Sequence, residues 1–297
     1  MPRATFDPDN LDLDFSDMGE RRPRKEKRKP QARRSVNALQ TQDGGDATFT
    51  DPSLAALHGM GVIHELLGEL KSGKEAVVYL ARGDFGLAAV KLYKDLAARS
   101  FKNDAVYREG RYVGDDRIEK AIRQRSATGV DAQQSMWVMH EYRELWTLWG
   151  EGLPVPRPLV GPGSHECAGA GRAVAMQFVG DGQDAAPRLS DARLTPSEAR
   201  EAWAQSLDIL AAFLRLGRVH GDYSTYNLLW HAGKVVVIDF PQVVLRGESR
   251  AFDALLERDV RSLCTSFARL GVREDPVSTL REVQRRARQT AQGVRLP

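Results

Sequence analysis

Residues 219–240 read VHGDYSTYNLLWHAGKVVVIDF, and they place three polar groups of related chemistry within a short span. Asp222 precedes Asn227 by five positions, and Asp239 follows the apolar run at 235–238. A carboxylate can accept a proton from a nucleophile, and amide and carboxylate oxygens are ligands that Mg²⁺ prefers. A turn or a helix cap would also explain the first pair, so residues elsewhere in the chain must distinguish a structural loop from a phosphoryl-transfer site.

Two charged residues upstream supply the missing parts of such a site. Lys91 lies among apolar residues in AAVKLYK (88–94), which predicts a strand lysine that contacts the phosphates of ATP. Glu141, in a helix predicted over 131–150, would hold Lys91 by an ion pair, with Glu144 as the competing partner one turn along. The order lysine, glutamate, H-x-D-x-x-x-x-N and I-D-F predicts ATP-dependent phosphoryl transfer with Mg²⁺, or alternatively Mn²⁺.

Each residue of this pattern has a predicted role. Asp222 is the predicted catalytic carboxylate, which accepts the proton of the nucleophile, and Lys91 and Glu141 complete the catalytic set. Asn227 and Asp239 are the predicted metal ligands. His220 is expected to pack or to hydrogen-bond within its loop, and not to perform acid–base chemistry.

Two motifs of ordinary protein kinases are absent from the sequence. No G-x-G-x-x-G precedes Lys91, and SGKEA (72–76) takes its place. No A-P-E motif occurs, and only 58 residues follow Asp239. We therefore expect the chain to lack the activation loop and the helical platform on which ordinary protein kinases bind a peptide.

The combined motifs resemble the RIO family of atypical serine/threonine protein kinases. The resemblance covers roughly residues 60–270 and rests on SGKEAVVY (72–79), AVKLYK (89–94), SFKNDAVYREGRY (100–112), W-x-x-x-E (137–141), HGDYSTYN (220–227) and IDFPQ (238–242). It implies an α+β, two-lobed kinase-like fold, with a twisted antiparallel sheet in a small N-lobe and a helical C-lobe. It also implies autophosphorylation, ATPase activity or both, including phosphorylation of Asp239.

The resemblance also assigns residues to the nucleotide. Ser72, Gly73 and Lys74 would form the phosphate loop, with Lys91 contacting the phosphates. The backbone at Met176, Gln177 and Phe178 would form the hinge that meets adenine. Residues 113–129 would match a flexible loop of the family, with Ser126 and Thr128 as autophosphorylation sites.

Composition predicts an N-terminal arm followed by two lobes. Residues 7–20 are acidic, whereas residues 21–34 carry nine basic residues and one glutamate, so residues 1–50 are predicted to be disordered. The N-lobe is predicted over 51–182 and the C-lobe over 183–297. The chain shows no signal peptide and no membrane-spanning run, and its two cysteines form no CxxC pair. We therefore expect a cytoplasmic protein that does not contact a membrane.

Local patterns predict the secondary structure. The predicted elements are a helix from Asp51, with partial helical spacing through residue 70; two strands within 72–94; the helix at 131–150, with Asp131 as N-cap; a helix that starts at the Thr195-Pro196-Ser197-Glu198 capping box; a buried strand at 234–240; and helices near 250–270 and 276–292.

Two other functions fit parts of the sequence. H-G-D-x-x-x-x-N followed by I-D-F also occurs in aminoglycoside and choline phosphotransferases, which act on small molecules. The basic block at 21–34 and the basic helix near 276–292 favour a nucleotide-regulated ATPase that assembles a ribosomal or other RNA–protein particle. The predicted partners are ATP, a protein acceptor or the chain itself, and a ribosomal or RNA–protein particle.

Overall fold

The structure, a computed structural model, describes residues 36–43, 46–94, 120–122, 124 and 126–289. Its strands are β1 (Gln40–Asp43), β2 (Asp46–Phe49), β3 (Glu65–Ser72), β4 (Ala76–Gly83), β5 (Gly86–Tyr93), β6 (Ala173–Gln177), β7 (Gly180–Asp181), β8 (Asp184–Ala185), β9 (Arg218–Val219), β10 (Leu228–His231), β11 (Lys234–Val237) and β12 (Val244–Leu245). Its helices are α1 (Pro52–Gly59), α2 (Ala127–Gly150), α3 (Ser164–Gly169), α4 (Pro196–Arg215), α5 (Phe252–Ala268) and α6 (Pro276–Gln289). The mixed α+β architecture predicted from the sequence is confirmed.

The N-lobe is built on a four-stranded antiparallel sheet with the order β3-β4-β5-β6. The predicted hairpin within 72–94 is confirmed as β4 and β5, which pair from Ala76↔Tyr93 to Gly83↔Gly86. Lys91 stands opposite Val78 on one side and Val174 on the other, so two strands flank it within the sheet. This central position fixes its backbone on both sides.

The described residues contain strands that the sequence patterns did not predict, among them β1, β2 and β3. Residues 40–43 and 46–49, assigned to the disordered arm, form the antiparallel strand pair β1–β2. The Gln40 side chain accepts a 2.6 Å hydrogen bond from the Leu66 amide, which ties this strand pair to β3. β3 itself replaces the helical continuation expected after α1. Residues 1–35 and 44–45 of the predicted arm lie outside the described residues.

Helix α2 starts earlier than predicted, at Ala127 instead of 131. Ser126 is the N-cap, and its hydroxyl accepts a hydrogen bond from the Gly129 amide. The last residues of the predicted flexible loop, 127–129, are therefore helical, whereas residues 113–119, 123 and 125 lie outside the described residues. In the middle of the helix, the Tyr142 hydroxyl donates to Ala173 O and accepts from Ala175 N, which joins α2 to β6.

The C-lobe is mainly helical. The capping box predicted at the start of α4 is present, with reciprocal hydrogen bonds between Thr195 and Glu198. α4 packs against α6, and α6 packs against α5. The strand predicted over 234–240 ends at Val237 and pairs only with β10, as a two-stranded hairpin. Asp239 therefore lies in a loop after the hairpin and not at the end of a central strand.

The chain passes quickly from Asp239 to the next helix. Residues 240–251 are all described and contain only the short strand β12, which pairs with β9. This connection leaves no room for a long activation loop. Among the helices of the described residues, none has both the length and the hydrophobicity needed to cross a bilayer.

Candidate active site

Lys91 joins two carboxylates at the centre of the site. Its Nζ lies 2.8 Å and 3.0 Å from the two Glu141 carboxylate oxygens and 2.6 Å from Asp239 Oδ1. The Glu141 side chain is fully buried and Lys91 is 12% exposed, while Asp239 is 42% exposed. The structure thus brings together one residue each from β5, α2 and the loop after β11. It pairs Lys91 with Glu141 and not with the competing Glu144.

Electrostatics keep Lys91 and Asp239 charged. Burial acts to lower the pKa of Lys91, but the negative charges of Asp239 and Glu141 outweigh it and raise that pKa well above its usual value. Burial conversely acts to raise the pKa of Asp239, and the charge and hydrogen bond of Lys91 overcome this and lower it. Tyr93 donates a short hydrogen bond to Glu141 Oε2, and its ring lies 4.9 Å from the Lys91 ammonium. Lys91 is therefore an ammonium and Asp239 a carboxylate near neutral pH.

Asp222 and Asn227 are joined directly by hydrogen bonds. Asn227 Nδ2 donates to Asp222 Oδ2 at 2.8 Å and to Asp222 O at 2.9 Å. These bonds fix the Asn227 amide so that its nitrogen faces Asp222 and its oxygen faces away. The backbone couples this loop to the other acidic residue, since the amide of Ile238, next to Asp239, donates to Asn227 O at 3.0 Å.

A buried carboxylate from α5 fixes the conformation of residues 220–227, which we call the catalytic loop after their predicted role. Asp259 accepts from the Gly221 amide at 2.8 Å and from the Tyr223 amide at 3.1 Å, on either side of Asp222. Arg258 adds a hydrogen bond to the Gly221 carbonyl. Burial raises the pKa of Asp259 to about 7, although both amide bonds oppose this shift. The loop conformation therefore depends on a helix that is distant in sequence.

Asp222 has the properties of a general base. Burial, assisted by the charge of Asp239, raises the pKa of Asp222 to about 6, against the effect of its hydrogen bond from Asn227. Below that pH the group is protonated, and above it the carboxylate can accept a proton. A catalytic group works best when its pKa is close to the working pH.

His220 has the structural role that the sequence predicted. It is fully buried, and its ring lies 5.6–5.8 Å from the rings of Phe213, Tyr223 and Phe240. Burial lowers its pKa to about 4, so the ring is neutral at ordinary pH. Its Nδ1 accepts a 3.3 Å hydrogen bond from the Asp222 amide, so the imidazole ring stabilises the conformation of the loop.

The loop after β11 has an unusual backbone. Asp239 has φ +77°, a left-handed conformation that non-glycine residues seldom adopt and that often marks functional sites. Three residues on, the Gln242 carbonyl lies so close to Gly221 that a Cβ there would be 2.4 Å away. The absence of a side chain at Gly221 thus lets the Asp222 and Asp239 segments approach.

The two predicted metal ligands carry the oxygen donors that Mg²⁺ prefers. Asn227 and Asp239 supply an amide oxygen and a carboxylate, both hard oxygen donors. No group of three or more His, Cys, Asp or Glu side chains suited to a metal occurs among the described residues. Mg²⁺ is usually held by one or two carboxylates together with water and the substrate phosphates, so a small protein ligand set fits it.

The residues predicted to contact nucleotide are spread along the sheet: the Ser72–Lys74 turn lies at the end next to Lys91, whereas Gln177 pairs with Ala88 toward the opposite end. Ser72, Gly73 and Lys74 form the turn from β3 into β4, and the Lys94 ammonium donates to Gly73 O at 2.7 Å. In the predicted hinge, the Gln177 amide donates to Arg157 O and the Phe178 amide to Leu87 O. These two amides are therefore engaged within the protein and are not free donors for adenine.

Sequence reasoning missed several residues that act on the site. The Arg188 charge lowers the pKa of both Asp222 and Asp239, and its backbone bridges to Leu229 beside the catalytic loop. Tyr93 and Asp259 were also missed. Tyr93 was visible within AVKLYK, next to the predicted site, whereas no sequence motif connects Arg188 or Asp259 to it.

Comparison with known proteins identifies the family. The model of the RIO domain matches residues 77–280, which is more than half of the chain. The chain belongs to the RIO family. Its relatives include the RIO-type serine/threonine-protein kinase Rio1 of Haloferax volcanii, 32% identical over 235 residues, covering 77% of this chain and 73% of the relative. The serine/threonine-protein kinase rio1 of Schizosaccharomyces pombe is 33% identical and human RIO3 is 30% identical.

The match to the eukaryotic RIO proteins is partial. The alignments cover 73% and 72% of this chain but only 41% of the S. pombe protein and 40% of human RIO3. The fold is also that of a solved RIO protein, the Rio2 kinase-ADP/Mg²⁺-phosphoaspartate complex from Chaetomium thermophilum. Its TM-score is 0.58 at 19% identity, covering 85% of this chain and 74% of the other. The kinase-like fold predicted from the sequence is thereby confirmed.

Proposed function

We propose that this RIO protein transfers the γ-phosphoryl group of ATP, with Mg²⁺, to a serine or threonine hydroxyl of a protein, including its own chain. The observation that carries this proposal is the convergence of Lys91, Glu141 and Asp239 next to the linked Asp222–Asn227 pair. The relatives named as serine/threonine-protein kinases support the reaction type. A protein acceptor is favoured over an aminoglycoside or choline because the chain belongs to the RIO family.

Each residue of the site has a separate role in the proposed reaction. Asp222 orients the acceptor hydroxyl and accepts its proton, as its raised pKa near 6 permits. Lys91, held by Glu141, presents its ammonium to the phosphates. Asn227 and Asp239 would hold Mg²⁺, and the bound ion would supply positive charge to the phosphates. The γ-phosphorus forms a bond to the acceptor oxygen while its bond to the bridging oxygen breaks, and ADP leaves.

The nucleotide would lie between the sheet and the catalytic loop. The turn at Ser72–Lys74 would cover the phosphates, and the backbone near Met176, Gln177 and Phe178 would contact the adenine. Because the Gln177 and Phe178 amides already donate within the protein, we place the donor to adenine at the next amide, Val179. Within the described residues, that amide makes no hydrogen bond.

A second reaction would use Asp239 as the acceptor. Its carboxylate is the most exposed member of the triad, and the solved Rio2 complex contains a phosphoaspartate. An Asp239 oxygen would attack the γ-phosphorus and release ADP, and water would then hydrolyse the acyl phosphate to free phosphate. Net ATP hydrolysis of this kind is also what an assembly ATPase would require.

Incubation of the pure protein with γ-labelled ATP and Mg²⁺ tests both reactions. Label that survives acid but is lost in base indicates phosphoserine or phosphothreonine, whereas an acyl phosphate is lost under both acidic and basic conditions. Release of free phosphate without labelled protein would favour the ATPase. No transfer and no hydrolysis with any acceptor or nucleotide would contradict the proposed function.

The remaining expectations stay predictions. The basic block at 21–34, expected to contact a ribosomal or RNA–protein particle, lies outside the described residues. The cytoplasmic location and the use of Mn²⁺ are likewise predictions, as is autophosphorylation at Ser126 or Thr128.

A further inference from the structure

Helix α2 contacts both lobes through neighbouring residues on one turn. Glu141 faces the N-lobe and holds Lys91, while Glu144, three positions later, accepts from Arg218 Nε at 2.6 Å. Arg218 lies on β9, which precedes the catalytic loop directly. The helix that presents Glu141 is therefore attached to the C-lobe at the strand that leads into Asp222.

A second contact attaches the same turn to the segment after Asp239. His140 is buried, and its Nε2 lies 3.0 Å from the Val243 carbonyl, which must accept, so Nε2 carries the proton. Its Nδ1 then accepts from Arg143 Nη2 at 3.0 Å, and Arg143 Nε also donates to Glu144 at 3.1 Å. A shift of α2 would break the hydrogen bond between His140 and the Val243 carbonyl.

The two C-lobe partners of α2 lie on one structural unit. Val243 immediately precedes β12, and β12 pairs with β9 through Val244↔Val219 and Leu245↔Arg218. We call this pair the β9–β12 ribbon. It joins the start of the catalytic loop to the end of the Asp239 loop, so a helix attached to it keeps a fixed relation to both.

Arg218 is important because its positive charge lies against the buried Glu144 carboxylate. Glu141 and Glu144 are both fully buried and stand one turn apart on the same helix, where like charges repel. A buried carboxylate that loses its partner is strongly destabilised. Arg218 is 14% exposed, whereas the other cation on Glu144, Arg143, is 52% exposed and contributes less. Without the Glu144–Arg218 pair, the remaining buried ionic group loses its principal partner and α2 is released from the β9–β12 ribbon, so Glu141 would move with the helix.

We infer that Glu144, held by Arg218, is a positioning residue that keeps Glu141 on Lys91, with the β9–β12 ribbon as its anchor. In ordinary protein kinases the activation loop controls the position of the corresponding glutamate helix. Here the short 240–251 connection provides no such loop, and the ribbon supplies the anchor directly. The part of this inference that concerns catalysis rests on the proposed function.

Lys91 labelling in nucleotide-free protein tests the anchor without any need for activity. An amine-acylating reagent should modify Lys91 at least about threefold faster in Glu144→Gln than in the wild type, because an amine released from buried ion pairs is more accessible and less strongly protonated. Exposed Lys234 serves as the internal reference. Glu282→Gln, which breaks an exposed pair with Arg285 on α6, is the control and should leave Lys91 labelling unchanged.

A double-mutant cycle on phosphoryl transfer separates positioning from general stabilisation. Glu144→Gln should lower kcat by about tenfold in the wild type but less than about twofold in a Glu141→Gln background, because its effect passes through Glu141. Its effect on the melting temperature should be similar in both backgrounds. If the kcat loss is equal in both backgrounds, Glu144 is only structural and the inference is wrong.

A conservative variant covers the case in which Glu144→Gln does not fold. Arg218→Lys keeps the charge but loses the guanidinium geometry, and it should raise Lys91 labelling in the same direction. Unchanged labelling in the folded variants would overturn the inference. Raised labelling in a protein that shows no phosphoryl transfer would support the anchor and reject the proposed function.

Discussion

Lys91 and Asp239 are 148 positions apart in the chain, yet Lys91 Nζ and Asp239 Oδ1 are separated by 2.6 Å. The pair joins the antiparallel sheet of the N-lobe to the loop that follows β11. With Glu141 on the other side of the ammonium, it places a fixed cation and a partly exposed carboxylate next to Asp222 and Asn227. The predictions below test what each part of this arrangement contributes.

Asp239→Asn should weaken nucleotide binding only when Mg²⁺ is present. The substitution removes a charged metal ligand while leaving the adenine region unchanged, so we expect ATP affinity with Mg²⁺ to fall by about tenfold or more. Calorimetric titration with and without Mg²⁺ measures this difference. Asp181→Asn, on the exposed β7–β8 hairpin, is the matched control. Equal loss of affinity with and without the metal would contradict the ligand role of Asp239.

Phosphoryl transfer should decline in acid as Asp222 becomes protonated. The pKa of this group is raised to about 6, so the active carboxylate form predominates above pH 6 and is lost below it. A plot of kcat/KM against pH should therefore bend near pH 6, since this ratio reports the free protein. The corresponding bend in kcat should lie at lower pH, because bound Mg²⁺ offsets the Asp239 charge that contributes to the shift.

Arg188→Ala should move that acid limb to higher pH. The Arg188 charge lowers the pKa of Asp222, so its removal makes the carboxyl easier to protonate. The same pH profile of kcat/KM detects the shift. Arg193→Ala, an exposed arginine five residues along, provides the control and should leave the limb in place. A limb that does not move in Arg188→Ala would show that this side chain does not act on Asp222.

Asp259→Asn should change how stability depends on pH. The pKa of Asp259 is raised to about 7 in the folded protein, above its ordinary value near 4. The folded state therefore binds this proton more tightly, and the associated stability is present at low pH and is lost as pH rises from about 4 to about 7. Asparagine does not titrate, so the wild type should lose stability relative to the variant across that range.

Urea unfolding at several pH values from 4 to 8 measures this difference. Comparing the two proteins cancels the contributions of Asp222 and His220, which titrate in both. At neutral pH the variant should still be impaired in transfer. Asp259 accepts hydrogen bonds from the backbone amides of Gly221 and Tyr223, whereas the side-chain nitrogen of an asparagine cannot accept one, so one of these two amides would lose its partner. A pH-independent difference in stability would show that Asp259 is ionised throughout.

The sequence predicted which residues lie together in the candidate site better than it predicted the boundaries of the secondary-structure elements. The Asp222–Asn227 pair and the β4–β5 hairpin each involve residues that are close in sequence, and both are present in the structure. β3 was missed because two register shifts, between Leu66 and Gly68 and between Glu69 and Lys71, disrupt the alternation that marks a strand. β1 and β2 have four residues each and only Ala47 and Phe49 are apolar, so the pattern was too short to signal a buried face.

Other features depend on contacts that no local pattern contains. Glu141 and Glu144 lie one turn apart on α2, and only the folded structure assigns Lys91 to one and Arg218 to the other. Asp259 and Arg188 reach the catalytic loop from a distant helix and from the segment that links the lobes. The early start of α2 reflects the cap at Ser126, which competed with an equally plausible cap at Asp131.

The most direct test of the account is single-turnover transfer from γ-labelled ATP with Mg²⁺ in the wild type and in Asp222→Asn, together with the ATP affinity of each. The account predicts that the variant binds ATP within about threefold of the wild type but transfers phosphate at least about a thousandfold more slowly, because only the proton acceptor is lost. Transfer by Asp222→Asn at a rate close to that of the wild type would contradict it.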